Sequence, residues 1–541
     1  MTSTTWFTMA SASVALRRTA LRVLTPLALV TAGATACTDL DLEPLDTATP
    51  GNLFTDEDSY TSFIARVYAG LAVTGQAGPA GAGDLSNIDE GFSSYIRTLW
   101  KLQELPTDEA VITWNDPGLP ALVEGTWDAG NVWVRAMYSR VYFQVSLANE
   151  FIRESDPTLL DERGIREAFR PTIADYRAEA RFLRALSYYH ALDLFGSGPF
   201  YTEEQVVGGT PPRQGSAQEI FDFVESELAA IAEALPAPGQ AEYGRVDRAA
   251  VWMLQSRLFL NAGVYVGQER YADAAAAAQR VIDAGVYELD GDYSDLFGAD
   301  NDASPEVVFA VPFDGDNTQT FGGTTFLVHA ALGGAADPLA YGVNSGWGGL
   351  RTTPEFLEFF DDLSGDTDTR AIFFTEGQTR EIQSRSEFTE GYLIPKWTNI
   401  TSDGQVGSDL VHPDTDFPVF RLAEAYLNYA EAAVRGGGDR ARALQLVNEL
   451  RERAYGTDRD NVDDAGLTEE FLFGERTRET YWEGMRRTDL RRYGRFTGDA
   501  YTWTFKGGPA EGGSLPANVG LYPIPATEIQ SNPNLTQNPG Y

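Results

Sequence analysis

The sequence predicts a mostly α-helical fold, in which helical hairpins stack into a scaffold and pack with a loop-rich region containing short strands. Three observations carry this reading. Residues 421–453, RLAEAYLNYAEAAVRGGGDRARALQLVNELRER, place Leu422, Ala425, Tyr426, Tyr429, Ala432 and Ala433 at helical spacing on one face, and a second stripe follows at Ala443, Leu446, Val447, Leu450 and Ala454. Between the stripes, Gly436, Gly437 and Gly438 permit the backbone reversal that ends a helix, and Asp439 can accept the free N–H groups that open the next. A hairpin of this size cannot bury its own apolar face and needs similar neighbours. Such neighbours occur upstream at 248–263 and 271–285, with the alanine run 274–278 at a tight seam. Third, from about 290 to 349 Gly and aromatic residues rise and helical periodicity fades.

In chain order, 58–71 reads as an amphipathic helix with Phe63, Ile64, Val67 and Leu71 on its face. The glycine-rich stretch 75–83 lacks the Lys-Ser/Thr ending of a phosphate-cradling loop and reads as a linker. A mixed stretch holding Trp100, Trp114, Trp127 and Trp133 leads into a long helix over 132–152. Residues 178–195, AEARFLRALSYYHALDLF, carry Phe182, Leu186 and Tyr189 on one face and stop at Gly196. After a Gly- and Pro-rich loop over 198–215, Ser216 caps a helix running to 235. The hairpins that follow resemble tetratricopeptide units of irregular period. Residues 307–312 read as a strand, 321–347 as a Gly- and aromatic-rich segment without clear elements, 353–361 as a helix, and 374–418 as loop and short strand. The opening hairpin, one helix over 469–493 and an extended tail complete the chain.

Composition excludes several classes. A formal net charge of −38 opposes nucleic-acid binding and docking by charge on an anionic membrane. Lys101, Lys396 and Lys506 are the only lysines, so basic charge is almost all arginine; an acid-rich, lysine-poor surface suits high salt, and codon bias would deplete lysine as well. Cys37 is the only cysteine, so no intrachain disulfide forms. It follows Arg17, Arg18, Arg22, a short apolar run from 23 to 36 and the small residues Ala34, Thr35 and Ala36, the pattern of a secretory signal. The cut site resembles a lipobox, which would make Cys37 the acylated first residue of the mature chain; an ordinary secretory signal with an incidental cysteine is the alternative. Asp39, Asp41 and Glu43 come next, either as a solvated tether or as a surface-export signal.

Catalytic constellations are sparse. His190, His329 and His412 stand far apart and in no metal spacing, and His190 reads as a packed side chain. No G-x-S-x-G elbow occurs. Residues 361–368, DDLSGDTD, lack calcium-loop spacing and read as a solvated turn. Paired carboxylates for glycoside cleavage stay open, since any two of 79 acids can meet in space. The chemistry the chain offers best is stacking: sugar rings lay their C–H faces on aromatic side chains. The candidates are Phe321, His329, Tyr341, Asn344 and Trp347, with Trp100 and Trp114 behind them; packing in core or loop is the alternative for each. In 475–492, Glu475, Glu479 and Glu483 stand four apart among Arg478, Arg486, Arg487, Arg491 and Arg492, either an anionic-ligand site or, as favoured here, an ion-pair lattice holding the tail.

Pieces spread along the chain carry a sharper resemblance: Cys37 followed by LDLEP, 54-FTDEDSY-60, 148-ANEFI-152, the 178–195 run with Gly198-Pro-Phe200, 304-SPEVVF-309, RLAEAYLNYAEA, 475-ERTRETYWEGMRRTDLRRYGRF-496 and 521-LYPIPATEIQSNPNLTQNPGY-541. In this order they resemble the SusD/RagB family of outer-membrane nutrient-binding lipoproteins. The resemblance implies a signal peptide over 1–36, a SusD-like N-terminal part over 37–285 with tetratricopeptide-like helices, and a RagB/SusD C-terminal part over 286–541, with 37–541 forming one compact unit. It implies a protein of the cell exterior, tethered to the outer membrane, that binds an oligosaccharide or other polymer fragment and hands it to a SusC-like TonB-dependent transporter. No reaction, cofactor or metal is implied, and no nucleic acid. A peptide-binding member of the family and a lipoprotein glycosidase are the rival readings.

Overall fold

The structure, a computed structural model, describes residues 53–541 apart from 82, 206 and 207. The signal segment, Cys37 and the acidic residues after it lie outside the described residues. Helices Glu57–Ala72, Val132–Glu154 and Arg170–Phe195 form one layer. Each begins or packs as its sequence dictates: Asp56 makes a capping box with Ser59, and Asn131 accepts from the N–H groups of Trp133 and Val134. The helix ending at Gly196 starts earlier than its apolar run, at Arg170 with Pro171 in the first turn.

The second layer is the stack the hairpin needs. Helix Tyr271–Asp283 packs on one side against Arg248–Leu260 and on the other against Leu422–Val434, which pairs in turn with Arg440–Tyr455. Two hairpins far apart in sequence thus bury each other's seams. Gly437 shows why the turn between the last two helices is glycine: a Cβ there would lie 2.3 Å from the carbonyl carbon of Tyr271. Asp439 caps the second helix, accepting from the N–H of Ala441. The strands are three short antiparallel pairs, Val307–Val311 with Phe417–Arg421, Val111–Ile112 with Leu350–Arg351, and Gly198–Pro199 with Gln214–Gly215.

Several expectations are corrected. The 321–347 segment contains a helix, Gly323–Ala330, and a 3₁₀ turn, Pro338–Tyr341. The helix expected over 353–361 is one turn, Pro354–Leu357, and residues 95–104, read within a mixed stretch, form the fully buried helix Tyr95–Glu104. The 361–368 turn is solvated only in part, because Asp368 is buried against Arg370 at 2.8 Å. The single helix over 469–493 breaks into Glu469–Thr480 and Arg486–Arg492. Trp482, at φ 62°, and Gly484, at φ 78°, occupy the left-handed region between them. Tertiary bonds hold this break: Glu109 accepts from the Trp482 N–H at 2.8 Å, Glu104 accepts from the Met485 N–H at 2.9 Å, and the Trp100 indole donates to the Trp482 carbonyl at 3.0 Å. Local periodicity carries no trace of such bonds.

The glutamates of this segment do form an ion-pair lattice, with Glu483 past the helix end and most of the cations coming from elsewhere. Glu475 meets Arg370 at 2.7 Å and Arg451 and Arg478 at 2.6 Å. Glu479 meets Arg421 at 2.7 Å, Arg453 at 2.5 Å and Arg370 at 3.2 Å. Glu483 meets Arg421 at 2.7 Å and Lys396 at 2.8 Å, and Glu306 closes the lattice onto Arg421 at 2.7 Å and Arg453 at 3.2 Å. The arginines expected beside the glutamates mostly turn away: Arg486 pairs with Asp108 at 2.5 Å, Arg492 with Glu431 at 2.7 Å, and Arg487 and Arg491 with Asp193 at 3.5 and 3.2 Å. Burial pushes Glu475 and Glu479 upward, but Arg370, Arg478 and Arg451 around Glu475, and Arg453, Arg421 and Arg370 around Glu479, hold both well below the usual carboxylate range.

Removing one partner of a buried network strands the others' charge, so Glu479→Ala is expected to cost about 3–5 kcal/mol in urea unfolding at pH 7. A carboxylate depressed from its ordinary value near 4.5 contributes fully above that value and loses its contribution as pH falls below it. The gap between wild type and variant should therefore narrow in the same titration run below pH 4.5; a gap that is constant with pH would contradict an ionised Glu479.

Candidate functional site

The aromatic candidates are gathered by backbone, not by sequence proximity. Helix Gly323–Ala330 carries His329 at its end. The segment after the 3₁₀ turn folds back onto that end: the N–H groups of Trp347, Gly348 and Gly349 donate to the carbonyls of His329 at 2.7 Å, Leu332 at 2.8 Å and Ala330 at 2.9 Å. Trp347 therefore lies over His329, ring centroids 4.8 Å apart and 18° from parallel. The short pair Val111–Ile112 with Leu350–Arg351 extends through Thr113, whose N–H donates to Gly349 at 2.9 Å. That register sets Trp114 beside Trp347, at 6.3 Å between rings, with its indole donating to the Trp347 carbonyl at 3.2 Å. Gly349 leaves the room: a Cβ there would stand 2.8 Å from the Trp114 ring. Phe321, just before the helix, comes within 6.5 Å of Trp347 and 5.4 Å of His412.

Trp114, Trp347 and Phe321 are half-buried, so three rings from three segments stand together at the surface with apolar area left uncovered. His329 is buried beneath Trp347, its Nδ1 2.6 Å from the Ser345 carbonyl and its Nε2 2.8 Å from that of Val411. Burial pulls its pKa below the ordinary value, against the two carbonyls that favour the protonated ring. Asn344 is exposed, its N–H donating to Leu410 and its side-chain oxygen accepting from Ser345. Tyr341 is half-buried and its carbonyl accepts from the Asn399 N–H at 3.0 Å. Trp100 does not reach the surface: it is 1% exposed and packs edge-on against Phe326 and Trp482, bracing the helix break from inside.

Two cations that sequence reasoning passed over lie under the rings. Helix Tyr95–Glu104 places Arg97 and Lys101 one turn apart on one face. Arg97 donates to the carbonyls of Gly91 and Phe321 and sits 4.6 Å from the Phe326 ring centroid; burial lowers its pKa to about 9. Lys101 is wholly buried, 3.6 Å over the Trp133 ring and 4.9 Å from that of Phe326, and its amine has no hydrogen-bond partner among the described residues. Burial first, then Arg97, drives its pKa well down. Their i, i+4 spacing was the available signal, hidden because the helix itself was not recognised. His190 is a packed side chain: Tyr95 Oη lies 2.8 Å from its Nδ1, and burial lowers its pKa to about 3.

Known structures show the same stack of helix pairs. Surface glycan-binding protein A from Bacteroides fluxus superposes with a TM-score of 0.69 at 21% identity, covering 90% of this chain and 100% of that one. The same-named protein from Bacteroides thetaiotaomicron, in complex with laminarihexaose, superposes with a TM-score of 0.68 at 20% identity over 90% and 100% of the two chains. The fold is that of the SusD superfamily. A profile of the SusD family matches residues 366–541, and starch-binding protein SusD of Bacteroides thetaiotaomicron is 36% identical over 95% of this chain and 97% of its own length. SusD-like protein P25 of Formosa agariphila is 27% identical over 67% of this chain and 72% of its own. This chain belongs to the SusD family.

A buried amine without a partner is held at a cost that an apolar side chain of similar length avoids. Lys101→Met is therefore expected to raise the thermal midpoint at neutral pH; a lowered midpoint would mean that the amine is charged and held by the Trp133 face.

Proposed function

We propose that this protein is a surface-exposed, lipid-anchored receptor that captures a neutral glycan and delivers it to a partner SusC-like TonB-dependent outer-membrane transporter, without altering the ligand. The observation that carries the reading is the Trp114–Trp347–Phe321 cluster: half-buried rings on a rigid base, in a family whose 36% identical relative is named for binding starch. Pyranose rings stack on such faces through their C–H groups, while exposed Asn344 is placed nearby in sequence to meet hydroxyls. The net charge of −38 favours an uncharged ligand over a polyanion. Tyr341 is a flanking contact in this reading, and His329 a support for Trp347, not a ligand group.

Anchoring rests on Cys37, whose acylation would fix the chain to the outer membrane by roughly 0.8 kcal/mol per buried CH₂. Among the described residues, no helix is long and apolar enough to cross a membrane. The delivery step rests on family membership, as does the division into an N-terminal part to 285 and a C-terminal part from 286 within one unit.

Calorimetry with maltoheptaose and laminarihexaose tests the binding reading. Trp347→Ala is expected to weaken the better of the two by about tenfold or more, equal to about 1.4 kcal/mol or more, with the fold intact by circular dichroism. Binding of a peptide pool with equal sensitivity to Trp347→Ala would move the protein to the peptide reading, and release of new reducing ends would move it to the glycosidase reading. In cells, Cys37→Ala is expected to shift the protein from the outer-membrane to the soluble fraction; retention in the membrane fraction would refute the anchor.

A further inference from the structure

A cavity lies apart from the ring cluster. Its volume is about 420 Å³. Its floor is one face of helix Val132–Glu154, where Tyr138, Tyr142, Ser146, Asn149 and Arg153 recur at helical spacing. Its sides are residues 199–205, which bring Tyr201, residues 208–212, and the C-terminal helix Ala526–Ser531, which brings Glu528. Ser146 is 13 residues beyond Trp133 on the same helix, so the cavity is centred about 20 Å along the axis from the base of the ring cluster at ~1.5 Å per residue.

The lining divides into braced and uncommitted groups. Asn149 is held by Arg184 and the Tyr201 carbonyl, Arg153 by the carbonyls of Glu203 and Gln205, and Ser146 by Tyr142 and Tyr201. These contacts fix the wall. The hydroxyls of Tyr138 and Tyr142 are buried and have no partner among the described residues, although buried phenols are ordinarily hydrogen-bonded. Glu528 is half-buried and has no cation within ion-pair distance among the described residues; burial raises its pKa. Glu528 and the three tyrosines, Tyr138, Tyr142 and Tyr201, line the same cavity. The rings of Tyr142 and Tyr201 lie 26° from parallel, with centroids 6.4 Å apart.

From this geometry we infer a second ligand site, for a neutral saccharide of one or two rings. The volume falls at the lower end of the range of about 300–1,000 Å³ typical of small-ligand pockets. Tyrosine faces take the C–H side of a pyranose ring. The half-buried Glu528 carboxylate takes its hydroxyls. The carboxylate excludes uronic acids and phosphorylated sugars by like charge, since the cation in the lining, Arg153, is already paired with Glu150, and a purely apolar ligand would leave the carboxylate unpartnered. The inference shares its ligand class with the ring-cluster reading but none of its residues, so the two fail separately.

The test uses the full mature chain carrying Trp347→Ala, titrated with maltose, cellobiose and lactose by saturation-transfer NMR and calorimetry. At least one disaccharide is expected to bind with one-to-one stoichiometry. Binding should fall at least tenfold with Tyr201→Ala, which removes a stacking face, and with Thr210→Trp, which blocks the exposed rim without touching the core. Glucuronic acid should not bind until Glu528 is changed to Gln. No disaccharide binding in the Trp347→Ala chain, or residual binding indifferent to both Tyr201→Ala and Thr210→Trp, overturns the inference. Binding of tetramethylammonium at the same residues with no saccharide binding overturns it in favour of a cation site.

Discussion

The interaction on which the rest depends is the buried lattice centred on Glu479. Its members come from several parts of the chain: Glu475, Arg478 and Glu479 from one helix with Glu483 just past it, Glu306 from the start of one strand pair, Arg421 from its partner strand, Arg451 and Arg453 from the last scaffold helix, Arg370 and Lys396 from the long loop region. A charge buried alone is costly by several kcal/mol, so no one of these segments can dock without the others. The lattice therefore does for the irregular half of the molecule what repeated helix packing does for the regular half. It joins loops that lack regular elements to a helical stack built of them.

Sequence legibility follows the same division. Helix Tyr271–Asp283, the Asp439 cap and the Ser216 cap were all readable, because periodicity and capping are properties of neighbours in the chain. The break at Trp482 was not, because its cause is Glu104 and Glu109, more than 370 residues away. Helix Tyr95–Glu104 does carry a polar face, at Arg97, Lys101 and Glu104, but it is only ten residues long and the folded chain buries that face as well. Of the candidate ring residues, Phe321, His329 and Trp347 come together with Trp114, whereas Trp100 joins the core. Residue type alone cannot separate these cases, since a tryptophan that stacks on a ligand and one that braces a helix break look alike in sequence.

Charge tells a complementary story. All three lysines are buried, Lys101 and Lys506 at 0% and Lys396 at 1% exposure, so the surface carries its positive charge on arginine alone. Lys396 is held by Glu483, Tyr293 and the Tyr481 carbonyl, and burial still lowers its pKa to about 8. Lysine here is an interior residue, used where a flexible stem can reach a fixed set of acceptors or ring faces. The exterior is left acidic, which directs recognition toward stacking and hydrogen bonding and away from Coulomb attraction of an anionic ligand.

The ring cluster gains from being built by backbone bonds. Trp347 is fixed by its own N–H, its carbonyl and its neighbours' N–H groups, and Trp114 by strand register and by the gap at Gly349, so neither ring has much rotational freedom to lose when a ligand arrives. Ordering a mobile aromatic side chain on binding costs about 0.5–1.5 kcal/mol, a large part of what one stacked sugar ring returns. With that cost met during folding, weak individual contacts would suffice to hold the neutral ligand proposed for this cluster. The base of the cluster is continuous with the helix break, because Trp100 packs edge-on against both Trp482 and Phe326, the latter in the helix that carries His329.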